Sequence, residues 1–204
     1  MKLYAHPFSS AAFKVFAVIH EMGVPCEVVT VDMGKGQHKS PEYLAINPNG
    51  KVPTLVDEGF QVWESNAILT YLAAKYPERG LMPTDVKGMA TVQQWLHWQS
   101  SQFSSAAGEV MSETVYAKLF GRATDEAKLA AAHEELKKEL ATLEKSLTGK
   151  EYLCGKLSIA DFSIASLLLG RQAMRLDISG FPQVKAWQER LEARESMKKV
   201  LPPL

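Results

Sequence analysis

Hydrophobic and polar positions repeat with two different periods along this chain, and the change of period divides it. Lys2-Leu3-Tyr4-Ala5 reads as a short strand. After the loop His6-Pro7-Phe8-Ser9-Ser10, apolar residues at Ala12, Phe13, Phe16, Ala17 and Ile19 recur at helical spacing. They predict a helix over 11–22, stopped by Gly23. Residues 27–32 are rich in β-branched side chains and strand-like. A polar loop with Gly34, Gly36 and His38 follows, and Ser40-Pro41 supplies a cap and a first-turn proline for a short helix over 41–46. Residues 52–56 and 60–62 flank the turn Asp57-Glu58-Gly59 as a hairpin. Ile68, Leu69, Leu72, Ala73 and Tyr76 then mark a helix from Ser65 to Tyr76. The predicted order is βαβ followed by ββα.

Beyond Tyr76 the strand period disappears. Tyr76-Pro77-Glu78-Arg79-Gly80-Leu81-Met82-Pro83 has the proline and glycine content of a linker. Met89, Val92, Trp95, Leu96 and Trp98 begin a long helical stretch from Asp85 to about Phe120, with small residues over 100–108 that could bend it or admit a partner. Leu129, Leu136, Leu140, Leu143 and Leu147 form an apolar stripe, with Glu134 and Lys138 as an exposed i,i+4 pair and Gly149 as the stop. At Leu157-Ser158-Ile159-Ala160-Asp161-Phe162 a capping box is predicted between Ser158 and Asp161, with Leu157 and Phe162 as its hydrophobic staple. Losing the Asp161 side chain is then expected to cost about 1–2 kcal/mol, on the scale of a lost cap. Phe181-Pro182 opens a further helix. The expected division is 1–77, a linker at 78–83, and an all-helical domain over 84–204.

Composition narrows the function. In 204 residues, 46% are hydrophobic and 23% charged, the balance of a soluble globular protein. Lys+Arg and Asp+Glu both number 23, so no basic excess points to nucleic acid, although a few local cations would suffice for a small anion. Cys26 and Cys154 sit far apart and in no metal-like spacing, so no metal site is expected and a reduced cytoplasmic setting is the simple reading. The N-terminus reads as lacking a signal peptide, because the apolar stretch 13–19 follows a strand pattern and is broken by Lys14. No apolar run approaches the roughly 20 residues that span a bilayer.

The chemistry concentrates in residues 47–65. Asn47-Pro48-Asn49-Gly50 is a loop and tight turn. Pro53 cannot donate to a ladder, so it belongs at a strand start or edge, and it holds Val52 extended with its N–H and C=O available to an extended peptide. Either peptide isomer is open; a cis Val52–Pro53 bond would aim those groups more sharply. Ser65, at a helix start, offers a hydroxyl and backbone N–H groups to a carboxylate. Together these suit a small anionic peptide. Ser9 and Ser10 are either simple N-caps or donors to a sulfur held over the helix start, where thiolates are favoured. His38-Lys39 is either a solvated basic patch or part of an anion site.

Asn-Pro-x-Gly-Lys-Val-Pro-x-Leu at 47–55, with Glu-Ser-x-Ala-Ile at 64–68, resembles the glutathione-binding core of the cytosolic glutathione transferases. Gly36 to Glu42 resembles the family's Gly-x-His-Lys-Ser-Pro-Glu, and 157–162 and 181–187 resemble its later helix starts. The resemblance is strong over 36–76 and 157–187 and weak over 100–150. It implies an α/β thioredoxin-like N-terminal domain with Pro53 at the cis-proline position, followed by an all-α helical-bundle C-terminal domain. It points to the serine-type branch, phi- or theta-like or a related bacterial class.

The resemblance also assigns roles. Counting five residues from Tyr4 gives Ser9 as the thiolate donor, while the cysteine-containing bacterial class would give Ser10; Ser9 is preferred, and Tyr4 is read as core. His38, Lys39 and Lys51 would hold the glycyl carboxylate, Val52 and Pro53 the peptide backbone, Glu64 the γ-glutamyl ammonium and Ser65 its carboxylate. Asp161 would act in folding. Glutathione enters as co-substrate, with no further cofactor. The electrophile would sit between the domains near Phe8, with Phe103, Ser104 and Met111 as candidate neighbours. A homodimer is implied, using the helix after Ser65 and the first two long helices, with Tyr71, Trp95 and Trp98 as either interface or core.

Two function classes follow. One is a cytoplasmic detoxifying transferase whose glutathione thiolate attacks a hydrophobic electrophile or a peroxide. The other is a glutathione-binding protein of the same fold serving as a non-catalytic interaction or stress-response module. Neither membrane nor nucleic acid is expected as a partner.

Overall fold

Four short strands and one helix between the first two set the frame of the N-terminal unit. The structure, a computed structural model, describes residues 1–7 and 9–200. β1 (Lys2–Ala5) pairs in parallel with β2 (Glu27–Thr30), and the connection between them is α1 (Ser10–Met22). The short α2 (Pro41–Leu44) precedes the hairpin β3 (Thr54–Asp57) and β4 (Phe60–Trp63). β3 runs antiparallel to both β1 and β4, giving the mixed sheet order β2-β1-β3-β4 of a thioredoxin-like domain. β3 starts at Thr54, one residue after Pro53, because proline lacks the N–H the ladder requires. α3 (Ser65–Lys75) then packs against α1.

The apolar periodicity of α1 locates the helix, and three of its five positions, Ala12, Ala17 and Ile19, are buried. Ala12, Lys14, Val15, Ala17, Val18, Ile19 and Met22 are buried, whereas Phe13 and Phe16 are half-buried. Tyr4 is half-buried too, with its ring edge-on to Tyr43 at 6.2 Å. Ser40 caps α2 by accepting from the Tyr43 N–H at 3.2 Å. On α3, Tyr71 donates to Asp57 at 2.6 Å and Lys75 pairs with the same carboxylate, holding it below the usual carboxylate range.

The helical unit comprises Pro83–Ala193. α4 (Val86–Trp98) continues through a π-helical turn at Gln99–Phe103 into α5 (Ser104–Met111), and through a second at Ser112–Tyr116 into α6 (Ala117–Leu119). The helix thus runs on through the small-residue stretch, widened at Gln99–Phe103 and regular over Ser104–Met111. Gln99 bridges the first turn to the core, donating to Ser104 at 2.5 Å and accepting from Ser163 at 3.1 Å. In the second turn buried Glu113 binds Arg122 at 2.8 Å and the Asp125 N–H at 3.1 Å.

α7 (Glu126–Leu147) buries Leu129, Ala132, Leu136, Leu140, Leu143 and Leu147, the stripe expected from the sequence. On its exposed side Lys137 pairs with Glu134 and Lys138 with Glu135, at i,i+3, in place of the expected Glu134–Lys138 pair. Every residue of α8 (Ile159–Leu168) is buried. α9 (Pro182–Glu192) is capped from another element: Glu144 of α7 accepts from the N–H groups of Gln183 at 3.0 Å and Val184 at 2.9 Å.

The capping box at the start of α8 is present, and Asp161 does more than the sequence suggests. It accepts from the N–H groups of Leu153 and Ser158 and from the Trp187 indole, each at 2.9 Å, and from the Ser158 hydroxyl at 3.0 Å. Its four lone-pair directions are filled in a site with no solvent exposure.

The chain does not finish in the helical unit, as the expected boundary of 84–204 had it. The first compact unit is Met1–Met82 together with the described residues from Arg194 to Val200. The unpredicted α10 (Glu195–Lys198) lies against α1. Glu21 of α1 receives both Arg194 nitrogens, Nε at 3.1 Å and Nη2, and the Ser196 hydroxyl at 2.6 Å. Burial alone would raise the Glu21 carboxyl, but the Arg194 and Ser196 bonds hold it below its ordinary value. No helix among the described residues is long and apolar enough to cross a membrane.

Candidate functional site

The first part of the site is the start of α1. Ser9 is its N-cap, with extended backbone (φ −82°, ψ 112°), and its Oγ accepts from the Ala12 N–H at 3.3 Å. A hydroxyl that accepts as a cap still carries a hydrogen to donate elsewhere. Ser10 is the first residue inside the helix, and both serines are half-buried. Phe8 lies outside the described residues.

The second part is the loop that presents Lys51, Val52 and Pro53. The Val52–Pro53 peptide is cis. Below it lies a polar floor that sequence reasoning missed. Tyr43 Oη donates to the Lys51 carbonyl at 2.6 Å and lies 3.0 Å from the Thr54 hydroxyl. Asn47 Nδ2 reaches the same two groups at 2.8 and 3.0 Å. Burial pushes the Tyr43 phenol upward, keeping it a neutral donor. The Lys51 carbonyl is thus held from two sides, which fixes the peptide that follows. Asn47 reads in the sequence as a turn residue before proline; its 2% exposure makes it a structural polar group.

The third part brings the basic residues together. Gly50 has φ +58°, and a Cβ there would stand 2.7 Å from the His38 carbonyl and 3.0 Å from Lys39 Nζ. Glycine is required on both counts. His38 and Lys39 therefore lie against Gly50, next to Lys51. Lys39 and Lys51 are exposed, and His38 is half-buried with Nδ1 enclosed and without a hydrogen-bond partner.

The fourth part is the start of α3. Its N-cap is Glu64, with φ +70° and ψ 115° and no side-chain cap bond. A non-glycine residue in that region carries strain of about 1–3 kcal/mol, which the surroundings must overcome. Ser65 is the first helical residue and half-buried; Glu64 is exposed. The first-turn N–H groups of α3 and the Ser65 hydroxyl form a concentration of donors suited to a carboxylate.

The remaining candidates belong to the helical unit. Phe103 is fully buried and stacks on Trp98 at 5.2 Å, so its side chain packs the core. Ser104 is half-buried and bonded to Gln99, and Met111 is half-buried. Trp95 is 9% exposed and edge-on to Trp98, while Tyr71 is half-buried on Asp57. Cys26 and Cys154 are half-buried free thiols whose pKa burial raises, which makes them poor nucleophiles. Among the described residues no cluster of three or more His, Cys, Asp or Glu could hold a metal ion.

A thioredoxin-like domain with this loop, followed by a helical domain, is the architecture that the resemblance to the glutathione transferases implied. Comparison with known proteins agrees. Residues 1–74 match the family model for the glutathione S-transferase N-terminal domain, and residues 104–195 match that for the C-terminal domain. A probable glutathione S-transferase GSTF2 of Oryza sativa subsp. japonica is 37% identical, over 98% of this chain and 95% of that protein. Glutathione S-transferase 3 of Zea mays is 35% identical over 98% and 93%. The solved structure of glutathione S-transferase-I bound with lactoylglutathione superposes with a TM-score of 0.91 at 32% identity, covering 98% of this chain and 97% of that one. The chain belongs to the glutathione S-transferase family, in its serine-type cytosolic branch, and the plant relatives place it beside the phi class. It is an enzyme of that family, a glutathione S-transferase.

Proposed function

We propose that the chain binds glutathione along Val52, with the glycyl carboxylate at His38, Lys39 and Lys51, the γ-glutamyl carboxylate at Ser65 and the start of α3, and the γ-glutamyl ammonium at Glu64. Ser9 donates a hydrogen bond to the glutathione thiolate. The sulfur lone pair attacks an electrophilic carbon, a C–S bond forms, and the displaced pair leaves with the departing group or is protonated on the acceptor. The serine is neither base nor covalent nucleophile. The observation that carries this reading is the Ser9 hydroxyl, which caps α1 through its oxygen and keeps its hydrogen for an acceptor above a helix start, where negative charge is favoured.

The electrophile is a hydrophobic small molecule, with Ser104 and Met111 as its neighbours in the helical unit; Phe103 supports them by packing. The enzyme works as a cytoplasmic homodimer in detoxification, and Phe60 and Trp63 on β4, 54% and 40% exposed, are apolar surface that a second copy would cover.

The test is an ultraviolet titration of the thiolate of bound glutathione in the wild type, Ser9→Ala and Ser9→Gly. Free thiols ionise near pKa 8.5. The wild type should ionise the bound thiol well below that, and both variants should return it towards that value and lower conjugation about 10–100-fold. Glycine keeps most of the cap, whereas alanine loses about 1 kcal/mol of stability, so the pair separates chemistry from folding. Wild-type thiol pKa in both variants sinks the assignment and passes the role to Ser10. A panel of electrophiles and peroxides then sorts the second substrate.

A further inference from the structure

Lys14 is a charged side chain the proposed chemistry does not use. It lies on the buried face of α1 with 3% exposure, in a stretch otherwise made of alanine, valine, phenylalanine and isoleucine. Its ammonium donates to Asn66 Oδ1 at 3.0 Å, across the packing of α1 on α3. Asn66 is the second residue of α3, next to Ser65 and two from the strained Glu64. Its carbonyl accepts from the Thr70 hydroxyl at 3.0 Å, so the residue is held at both its side chain and its backbone.

An ammonium is expensive to bury, and it persists where its charge and bonds fix something else. Here it meets the start of α3, the one α-helix of the N-terminal unit, among the described residues, whose N-cap residue has a positive φ and no side-chain cap bond. We propose that Lys14 is a positioning residue for glutathione: through Asn66 it holds the Glu64-Ser65-Asn66 turn in the conformation that receives the γ-glutamyl group, and it supplies positive charge behind that group's carboxylate. Burial lowers the Lys14 pKa to about 7, and the Glu64 charge pulls it back upward.

The inference rests on the assignment of Ser65 and Glu64 to the γ-glutamyl group, and the experiment separates the two. Glutathione dissociation constants and steady-state kinetics are measured for Lys14→Met, Lys14→Arg, Asn66→Ala, the Lys14→Met/Asn66→Ala double variant and Ser65→Ala, with melting temperature as a folding control. Lys14→Met and Asn66→Ala should each weaken glutathione about tenfold and raise its KM to match, with kcat at saturating glutathione within about twofold of wild type. The double variant should be no weaker than either single one, because the two side chains act as a unit. Lys14→Arg, which keeps charge and donors, should come back to within about threefold of wild type.

Wild-type glutathione affinity in folded Lys14→Met overturns the inference, and so does a double variant whose losses multiply. If Lys14→Met does not fold, Asn66→Ala with wild-type affinity overturns it instead. Ser65→Ala reads the site: weakened binding there with unaffected Asn66→Ala removes only the role of Lys14, whereas unaffected Ser65→Ala removes the assignment of the γ-glutamyl site itself.

Discussion

Two helix starts in this molecule solve the same problem in opposite ways. At the start of α8, Ser158 and Asp161 close a capping box, and Asp161 adds the Leu153 N–H and the Trp187 indole to its partners. The Ser158 and Asp161 side chains are both bonded within the fold and buried. At the start of α3, Glu64 stands at φ +70° with no side-chain cap bond, and the next residue is a half-buried serine. The first start is closed by side chains of the fold; the second has no side-chain cap bond, and the proposed function assigns it to the ligand's carboxylate. Satisfied polar groups specify a fold, and unsatisfied ones at a strained turn mark a place where a ligand completes the bonding.

The sharpest way to break that contrast is to delete each key side chain. Asp161→Ala orphans two backbone N–H groups, an indole N–H and a hydroxyl, all buried. At about 1–3 kcal/mol for each buried donor left unpaired, partly relieved by water, the loss should reach roughly 3–5 kcal/mol. That exceeds the 1–2 kcal/mol expected from a cap alone, because the sequence shows the capping box but not that Trp187 returns to it. Urea denaturation and soluble yield should report the loss, while the protein that remains folded binds glutathione as the wild type does. Ser65→Ala should do the reverse, weakening glutathione about tenfold with little change in the denaturation midpoint. If both variants lose stability alike, the two helix starts do not differ in kind.

Gly50→Ala should come next in size. A methyl group there would meet the His38 carbonyl at 2.7 Å, and φ +58° is costly for alanine. About 1–3 kcal/mol of stability should go, and glutathione affinity should fall further than in Lys39→Ala, because the whole basic corner moves rather than one cation. Equal affinity in Gly50→Ala and wild type would mean that the loop carrying His38 and Lys39 takes no part in binding.

Most of the fold was legible because its elements are local. The β1, α1 and hairpin assignments follow period and turn residues, and the capping box is four residues long. What stayed hidden depends on distant pairs. Asn47 looks like a turn residue because its bonds to Lys51 and Thr54 exist only once the loop has closed. The apolar spacing of α1 runs through Ala12, Phe13, Phe16, Ala17 and Ile19 and passes over Lys14, which is buried and bonded to Asn66, 52 residues on. The return of Arg194 to Glu21 crosses 173 residues and leaves no local mark. In the candidate site, the Asn47–Leu55 and Glu64-Ser65 signals were local and readable, while the groups that hold them in place were not.

The Glu21 anchor stands between the two helix starts, since its carboxylate has three donors but keeps some exposure. Its pKa is depressed, so its contribution to stability is complete above the ordinary 4.5 and disappears as pH falls through the lower folded value. Wild type should exceed Glu21→Gln by about 1–2 kcal/mol at neutral pH, below the buried-pair scale because the side chains of Glu21 and Arg194 are 18% and 32% exposed. The difference should shrink towards zero below pH 4.5. A difference that stays constant with pH would show that shape and not charge holds α10 to α1.

The smallest expected stability change is the most informative about the open helix start. Glycine accepts φ +70° without strain, so Glu64→Gly removes a conformational cost while adding freedom to the unfolded chain. The two nearly cancel, and the denaturation midpoint should move by less than about 1 kcal/mol in either direction. Glutathione affinity should nevertheless fall, because the carboxylate assigned to the γ-glutamyl ammonium is gone and a flexible glycine no longer fixes Ser65 ahead of binding. Unchanged stability with weakened binding would mean that the strain at Glu64 serves the ligand and not the fold. Weakened stability with unchanged binding would place Glu64 beside Asp161, as one more residue that closes a helix.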